Sequence, residues 1–194
     1  RGSQSGLYRV SHDGRSDKTS RQTAIQRRTE STARRSRELR HQLEDYHRQK
    51  DPAAIETAWK ALGSEDRWIR YAARLAIENQ PVESWRKRAL GEPEPMASSV
   101  ALLALARTGT PADKAKLILA LSMHDLATLR PAELLAWSRA TQLACIRMGP
   151  PAESTRRSLR QQLEAIYPHA HAPANHLLCE LLVYLDSPTV VGQT

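Results

Sequence analysis

Residues 62–79 read LGSEDRWIRYAARLAIEN, and this stretch decides the fold. Ser64 is placed to cap a helix whose first turn carries Glu65 and Asp66, acids that suit the positive end of a helix dipole. Arg70 follows Asp66 by four residues, a spacing that predicts a structural ion pair between Asp66 and Arg70 on one helix face. Trp68, Ala72, Leu75 and Asn79 form one stripe, and Ile69, Ala73, Ala76 and Ile77 form its neighbour. A helix with two small, apolar faces packs on both sides, as in a stacked helical array. Nothing in the stretch is a catalytic signature.

Working outward, the pattern is helical from Thr32 onward. Leu39, Leu43 and Tyr46 mark an amphipathic helix over 32–49. Asp51-Pro52 opens the next helix, which Ile55, Trp59 and Leu62 line and Gly63 ends. The helix over 65–79 stops before Pro81, and a helix over 81–90 turns Val82, Trp85 and Ala89 inward. After the break at Gly91-Glu-Pro-Glu-Pro95, Met96–Arg107 is apolar almost all round and is expected to be buried. Further helices are expected over 111–122, 131–148, 152–166 and 173–186, with Pro111, Pro131 and Pro173 near their starts. Turns containing Gly and an acid lead into 62–78 and 90–107, and Leu185–Val190 begins the same way. Such echoes, at a loose spacing of about 28 to 40 residues, suggest degenerate repeats that bury their faces only against neighbours. The expected class is all-α: an α-solenoid of antiparallel helix pairs over 32–194.

Two segments precede it. Gly6-Leu-Tyr-Arg-Val10 alternates like a short strand, an orphan expected to complete an upstream β domain over 1–10. Residues 11–31 are polar and read as a basic linker. The chain begins without Met and is expected to be a fragment or a processed product.

With 40% hydrophobic residues among 194, the chain can bury a real core, and no apolar run reaches the roughly 20 residues of a bilayer-crossing helix. The absence of Phe and the excess of Ala and Leu favour helices. Charge is uneven. Residues 1–50 hold 13 Lys+Arg and 6 Asp+Glu, a net +7, which leaves +1 for 51–194. A basic arm attracts nucleic acid or an anionic surface; the simpler reading, preferred here, is a solvated linker followed by a charged helix face. Cys145 and Cys179 lie in apolar helical patterns and are expected as free buried thiols, with a disulfide open only if the chain is exported.

Leu62-Gly-Ser-Glu-Asp66, Ile69-Arg70, Ala73 and Leu75–Ile77 together resemble the HEAT repeat. That resemblance implies a right-handed α-solenoid that binds other macromolecules. Gly6–Val10, Arg37-Glu-Leu-Arg40, Asp51-Pro-Ala-Ala-Ile55, Asp66–Arg74 and Leu178–Leu185 occur in the order found in large exported proteins of planctomycete-type bacteria, and resemble their middle region. Those proteins join a β-propeller similar to sorbosone-class sugar dehydrogenases to a HEAT-like region, and many end in a c-type cytochrome domain. The resemblance implies a periplasmic or extracellular location, although the cytoplasm stays open. This chain has no Cys-x-x-Cys-His, hence no haem attachment site of its own.

His169-x-His171-x4-His176-x2-Cys179 carries ligand types that zinc and copper prefer. His169 and His171 flank a Pro-containing turn, and the spacing matches no standard zinc motif, so these four stand as metal candidates without an assigned metal. Trp59, Trp68, Trp85 and Trp137 read as core fillers, the first three in one packing layer; an aromatic ligand surface is the alternative. Arg27, Arg28, Arg34, Arg35, Arg37 and Arg40 are a candidate phosphate-binding set; a HEAT-like fold that grips DNA exists among alkylpurine glycosylases, but here the arginines lie mostly in the linker and the first helix rather than along a concave face. Glu153, Glu164 and Glu180 lack partners at catalytic spacing, and no GxSxG, HExxH or phosphate loop is present.

The expected function is therefore a non-catalytic helical-repeat scaffold that connects a β-propeller to a downstream haem domain and takes protein domains as partners. Arg67, Arg70, Tyr71 and Arg74 are its candidate contacts. No catalytic residue and no cofactor is assigned to this chain. The alternatives are a nucleic-acid-binding module using the basic arm, and an accessory part of a propeller–cytochrome sugar oxidoreductase.

Overall fold

A computed structural model describes residues 24–193, with side chains from residue 28 onward. The strand expected over 6–10 and the first part of the linker lie outside the described residues. Contacts divide the chain into two compact units, residues 1–35 and 36–194. The described part of the first is the opening of helix α1 (Ala24–Asp45). This corrects the linker boundary, because 24–31 are helical. Ala, Gln, Arg and Glu favour the helix, and the Ser31 and Thr32 hydroxyls donate back to the Arg28 carbonyl at 2.9 and 3.0 Å.

The second unit continues α1 and adds α2 (Ala53–Trp59), α3 (Arg67–Glu78), α4 (Val82–Leu90), α5 (Pro95–Thr108), α6 (Lys114–Ser122), α7 (Pro131–Met148), α8 (Glu153–Ile166), α9 (Ala172–Tyr184) and the short α10 (Val190–Gln193). Among the described residues there is no strand. Helices pack as successive pairs, α2 on α3, α4 on α5, α6 on α7 and α8 on α9. The second helices of the pairs also pack in chain order, α3 on α5, α5 on α7 and α7 on α9, and so do the first helices α4, α6 and α8. The broadest contact is that of α5 with α7, two helices on which Ala101, Ala104, Ser138 and Thr141 are fully buried. Side chains this short let ridges of one helix settle deep into the grooves of the other.

Local chemistry sets the helix starts. Glu94 precedes Pro95 and accepts the N–H groups of Met96 (3.2 Å) and Ala97 (2.5 Å). Ahead of α7, the Arg130 N–H donates to Glu133 Oε2 at 2.8 Å while its guanidinium holds Oε1 of the same carboxylate at 2.7 Å. Ser64 does not cap α3. The Trp68 N–H donates instead to Asp66 Oδ1 at 2.8 Å, and Ser64 Oγ accepts the Asp66 N–H at 3.2 Å. Asp66 is thus the capping residue, and a carboxylate outperforms a hydroxyl at the positive end of the helix dipole. At the far end of α3, the Asn79 amide donates to the Tyr46 and Gln49 carbonyls, both at 3.0 Å. Gln80 Oε1 takes the Asp51 N–H at 2.9 Å. These bonds fasten the turn between α1 and α2 to α3.

Candidate interaction surface

Helix α3 is amphipathic at one residue's resolution. Ile69, Ala72, Ala73, Ala76 and Ile77 are buried, and α3 packs on α2 and α5. The opposite arc presents Arg67, Trp68 and Tyr71, with Trp68 58% and Tyr71 52% exposed. Each ring is held by an arginine of its own helix. The Arg67 guanidinium lies 4.7 Å from the Trp68 ring centroid, and that of Arg74 lies 5.2 Å from the Tyr71 ring. The i, i+3 spacing makes Trp68 and Tyr71 neighbours on this arc.

The arginines divide by role. Arg67 has no polar partner among the described residues and is exposed. Arg70 turns back to donate to the carbonyls of Ser64 and Glu65, the latter at 3.0 Å. The expected Asp66–Arg70 ion pair is therefore corrected: Asp66 is used as the cap, and Arg70 closes the turn ahead of it. Arg74 is buried and pairs with Glu78, which also receives Arg107 of α5 at 2.9 Å. Of the four expected contacts, α3 leaves Arg67 and Tyr71 outward, while Arg70 and Arg74 are committed to the helix's own structure.

Trp68 is the residue that sequence reasoning misplaced. Trp59, Trp85 and Trp137 are buried, and each indole N–H is satisfied, by Glu92 Oε2 (2.6 Å), the Gln80 carbonyl (3.4 Å) and the Leu121 carbonyl (2.9 Å) respectively. Trp68 is the exception to that core layer. The signal was present: Trp68 shares its arc with Arg67 and Tyr71, whereas the small residues gather on the other side.

The histidine cluster is used by its turn. The His169 N–H donates to Asn175 Oδ1 at 2.7 Å, and the His171 N–H donates to His169 Nδ1 at 3.0 Å. The Ala174 N–H reaches His171 Nδ1 at 3.3 Å, so both Nδ1 lone pairs serve the start of α9. His176 Nε2 sits 3.1 Å from Glu180, and Cys179 is half-buried. Among the described residues, no three His, Cys, Asp or Glu side chains converge to hold a metal. The isolated acids also have structural partners. Glu153 pairs with Arg156 and Arg157, and Glu164 accepts from Ser187 Oγ at 2.6 Å.

Clefts lie elsewhere among the described residues. One, of about 360 Å³, has walls of Pro93, Pro95 and Met123, and there His124 Nε2 lies 3.1 Å from Ser98 Oγ. Burial holds the His124 pKa below its ordinary value, which favours the neutral ring. The pair has a base and a hydroxyl, but Glu94 occupies the Met96 and Ala97 N–H groups that could steady an oxyanion, and Ser98 is only 3% exposed. Another cleft, of about 300 Å³ between α7 and α9, has Cys145 and Tyr184 in its wall beneath exposed Ile146. On α1, Arg28, Arg34, Arg35 and Arg37 are exposed, and Arg40 pairs with Glu44 at 3.2 Å. No helix is long and apolar enough to cross a membrane among the described residues. Comparison with protein-family models, with curated proteins and with solved structures finds no match to this chain.

Proposed function

We propose that this chain is a non-catalytic helical-repeat scaffold, a HEAT-like α-solenoid that docks protein domains through the outer arc of α3. The observation that carries the reading is the pair of exposed rings, Trp68 and Tyr71, each held by an arginine on a helix whose other side is fully packed. Large aromatic and arginine side chains fixed on a rigid element supply most of the energy at protein interfaces. The chain-order packing of first and second helices supports the repeat reading, since an array presents one continuous surface built from corresponding helices. On the resemblance of its segments, the scaffold's place is between a β-propeller and a haem domain of an exported protein.

The test has two parts. Reading the open reading frame on both sides checks for a propeller upstream and a Cys-x-x-Cys-His downstream. The purified chain is expected to be stable, helical and without turnover of sugars, and turnover by the chain alone would overturn the scaffold reading. A second reading rests on the exposed arginines of α1, which suit phosphates. Filter binding against salt separates it: a steep loss of binding between low and moderate salt favours nucleic acid, and no binding at low salt removes it.

A further inference from the structure

We infer that the partner of the α3 arc is an acidic protein segment, one carboxylate flanked by apolar side chains, rather than a nucleic acid. This rests on the docking role proposed for α3 and adds the chemistry of what docks. The argument is charge complementarity. Of the cations on or beside the arc, Arg70 is spent on two carbonyls, Arg74 and Arg107 on Glu78, and Arg130 on Glu65 and Glu133. Arg67 keeps its N–H groups unused by the described residues, and so does Lys60, which shares a cleft wall with Glu65 and Arg130. A nucleic-acid strand needs a succession of free cations for its phosphates. Here it would meet two, Arg67 and Lys60, rather than a row of them. A single carboxylate fits better: it forms a fork with Arg67, whose other side stays against Trp68. The adjoining Trp68–Tyr71 shelf, continued one turn on by half-buried Leu75, takes apolar side chains on either side of that carboxylate.

The protein carries its own reporter, because Trp68 is the exposed tryptophan while Trp59, Trp85 and Trp137 are buried. The full chain is titrated with three peptides that alternate Leu with Glu, Gln or Lys, and with oligo(dT), while tryptophan emission is followed. The Leu–Glu peptide is expected to shift the emission to the blue and to bind about tenfold more tightly than the Leu–Gln peptide. Arg67→Gln should remove that difference, and Tyr71→Ala should weaken both by about tenfold, with unchanged circular dichroism. Equal binding of the Glu and Gln peptides overturns the acidic partner and leaves the docking role standing. Tighter binding of the Lys peptide or of oligo(dT) overturns the partner class. No response to any peptide at millimolar concentration overturns both the partner and the α3 docking surface.

Discussion

Arg107 of α5 reaches Glu78 of α3, its Nε 2.9 Å from Oε1, and meets there a carboxylate already paired with Arg74. Glu78 and Arg74 side chains are 9% and 11% exposed, whereas Arg107 is 46% exposed. One acid therefore braces two neighbouring helices, with one buried and one wet partner.

The two arginines are worth different amounts. Glu78→Gln leaves Arg74 buried beside a neutral amide and should cost about 3 kcal/mol, in the range for breaking a buried pair. Arg107→Ala removes a solvent-screened partner and should cost under about 1 kcal/mol. A double-mutant cycle on Glu78 and Arg107, read by urea unfolding, should give a coupling of about 0.5 kcal/mol or more. A zero coupling would mean that the contact between α3 and α5 does not depend on this pair.

Trp137 anchors the α6–α7 pair. It is fully buried, and its indole N–H donates to the Leu121 carbonyl at 2.9 Å. Trp137→Ala should cost about 3–5 kcal/mol through the cavity left behind. Trp68→Ala, at an exposed site, should stay within about 1 kcal/mol of the parent. Thermal melts of the two variants check both values, and similar losses would contradict the burial difference.

Stability should fall on acidification in two steps. His124 has a lowered pKa through burial, so the unfolded chain protonates first; its contribution is full above about pH 6.5 and is lost as pH falls from there toward the folded value. Glu133 is held below 4.5, chiefly by the hydrogen bond from Arg130, so its contribution is full above that value and is lost as pH falls through the folded pKa. His124→Gln should erase the upper step and Glu133→Gln the lower, as seen in urea midpoints measured across pH. A midpoint that rises on acidification would reverse both assignments.

The two thiols should separate under alkylation. Cys145 is 3% exposed, and burial pushes its pKa up to about 11, whereas Cys179 is only half-buried. Iodoacetamide on the native protein should label Cys179 and spare Cys145, and mass spectrometry of the digest reads the outcome. Equal labelling would show that the α7–α9 cleft opens readily.

Helix existence was legible because apolar periodicity and proline punctuation coincide. Pro131 and Pro173 lie in the first turn of their helices, as the sequence predicts; Pro111 opens a short 3-10 turn just ahead of α6, and Pro95, expected in the break, is the first residue of α5. Side-chain partners were less legible. The i, i+4 spacing of Asp66 and Arg70 predicts a pair, but each had a nearer backbone group to satisfy, and backbone amides and carbonyls at a helix start compete well. Trp68 misled for a related reason. A large aromatic among alanines suggests burial, yet the arc it occupies is fixed by where the small residues sit, and they sit opposite. Arg74 shows the converse, a charge on a surface arc drawn inward by Glu78.

The clasp of Asn79 and Gln80 on the turn between α1 and α2 has a kinetic consequence. Asn79 and Tyr46 are 33 residues apart, as are Trp59 and Glu92, while Glu78 and Arg107 are 29 apart and Gln142 and Glu180 are 38 apart. Most ties between helix pairs thus span about one pair's length of chain. Loops this short close cheaply, so contact order stays low and folding is expected to be fast. On the proposed repeat reading, each pair also opens while its neighbours hold. Amide hydrogens should then exchange in graded blocks, slowest where α5 and α7 meet, rather than all at one rate.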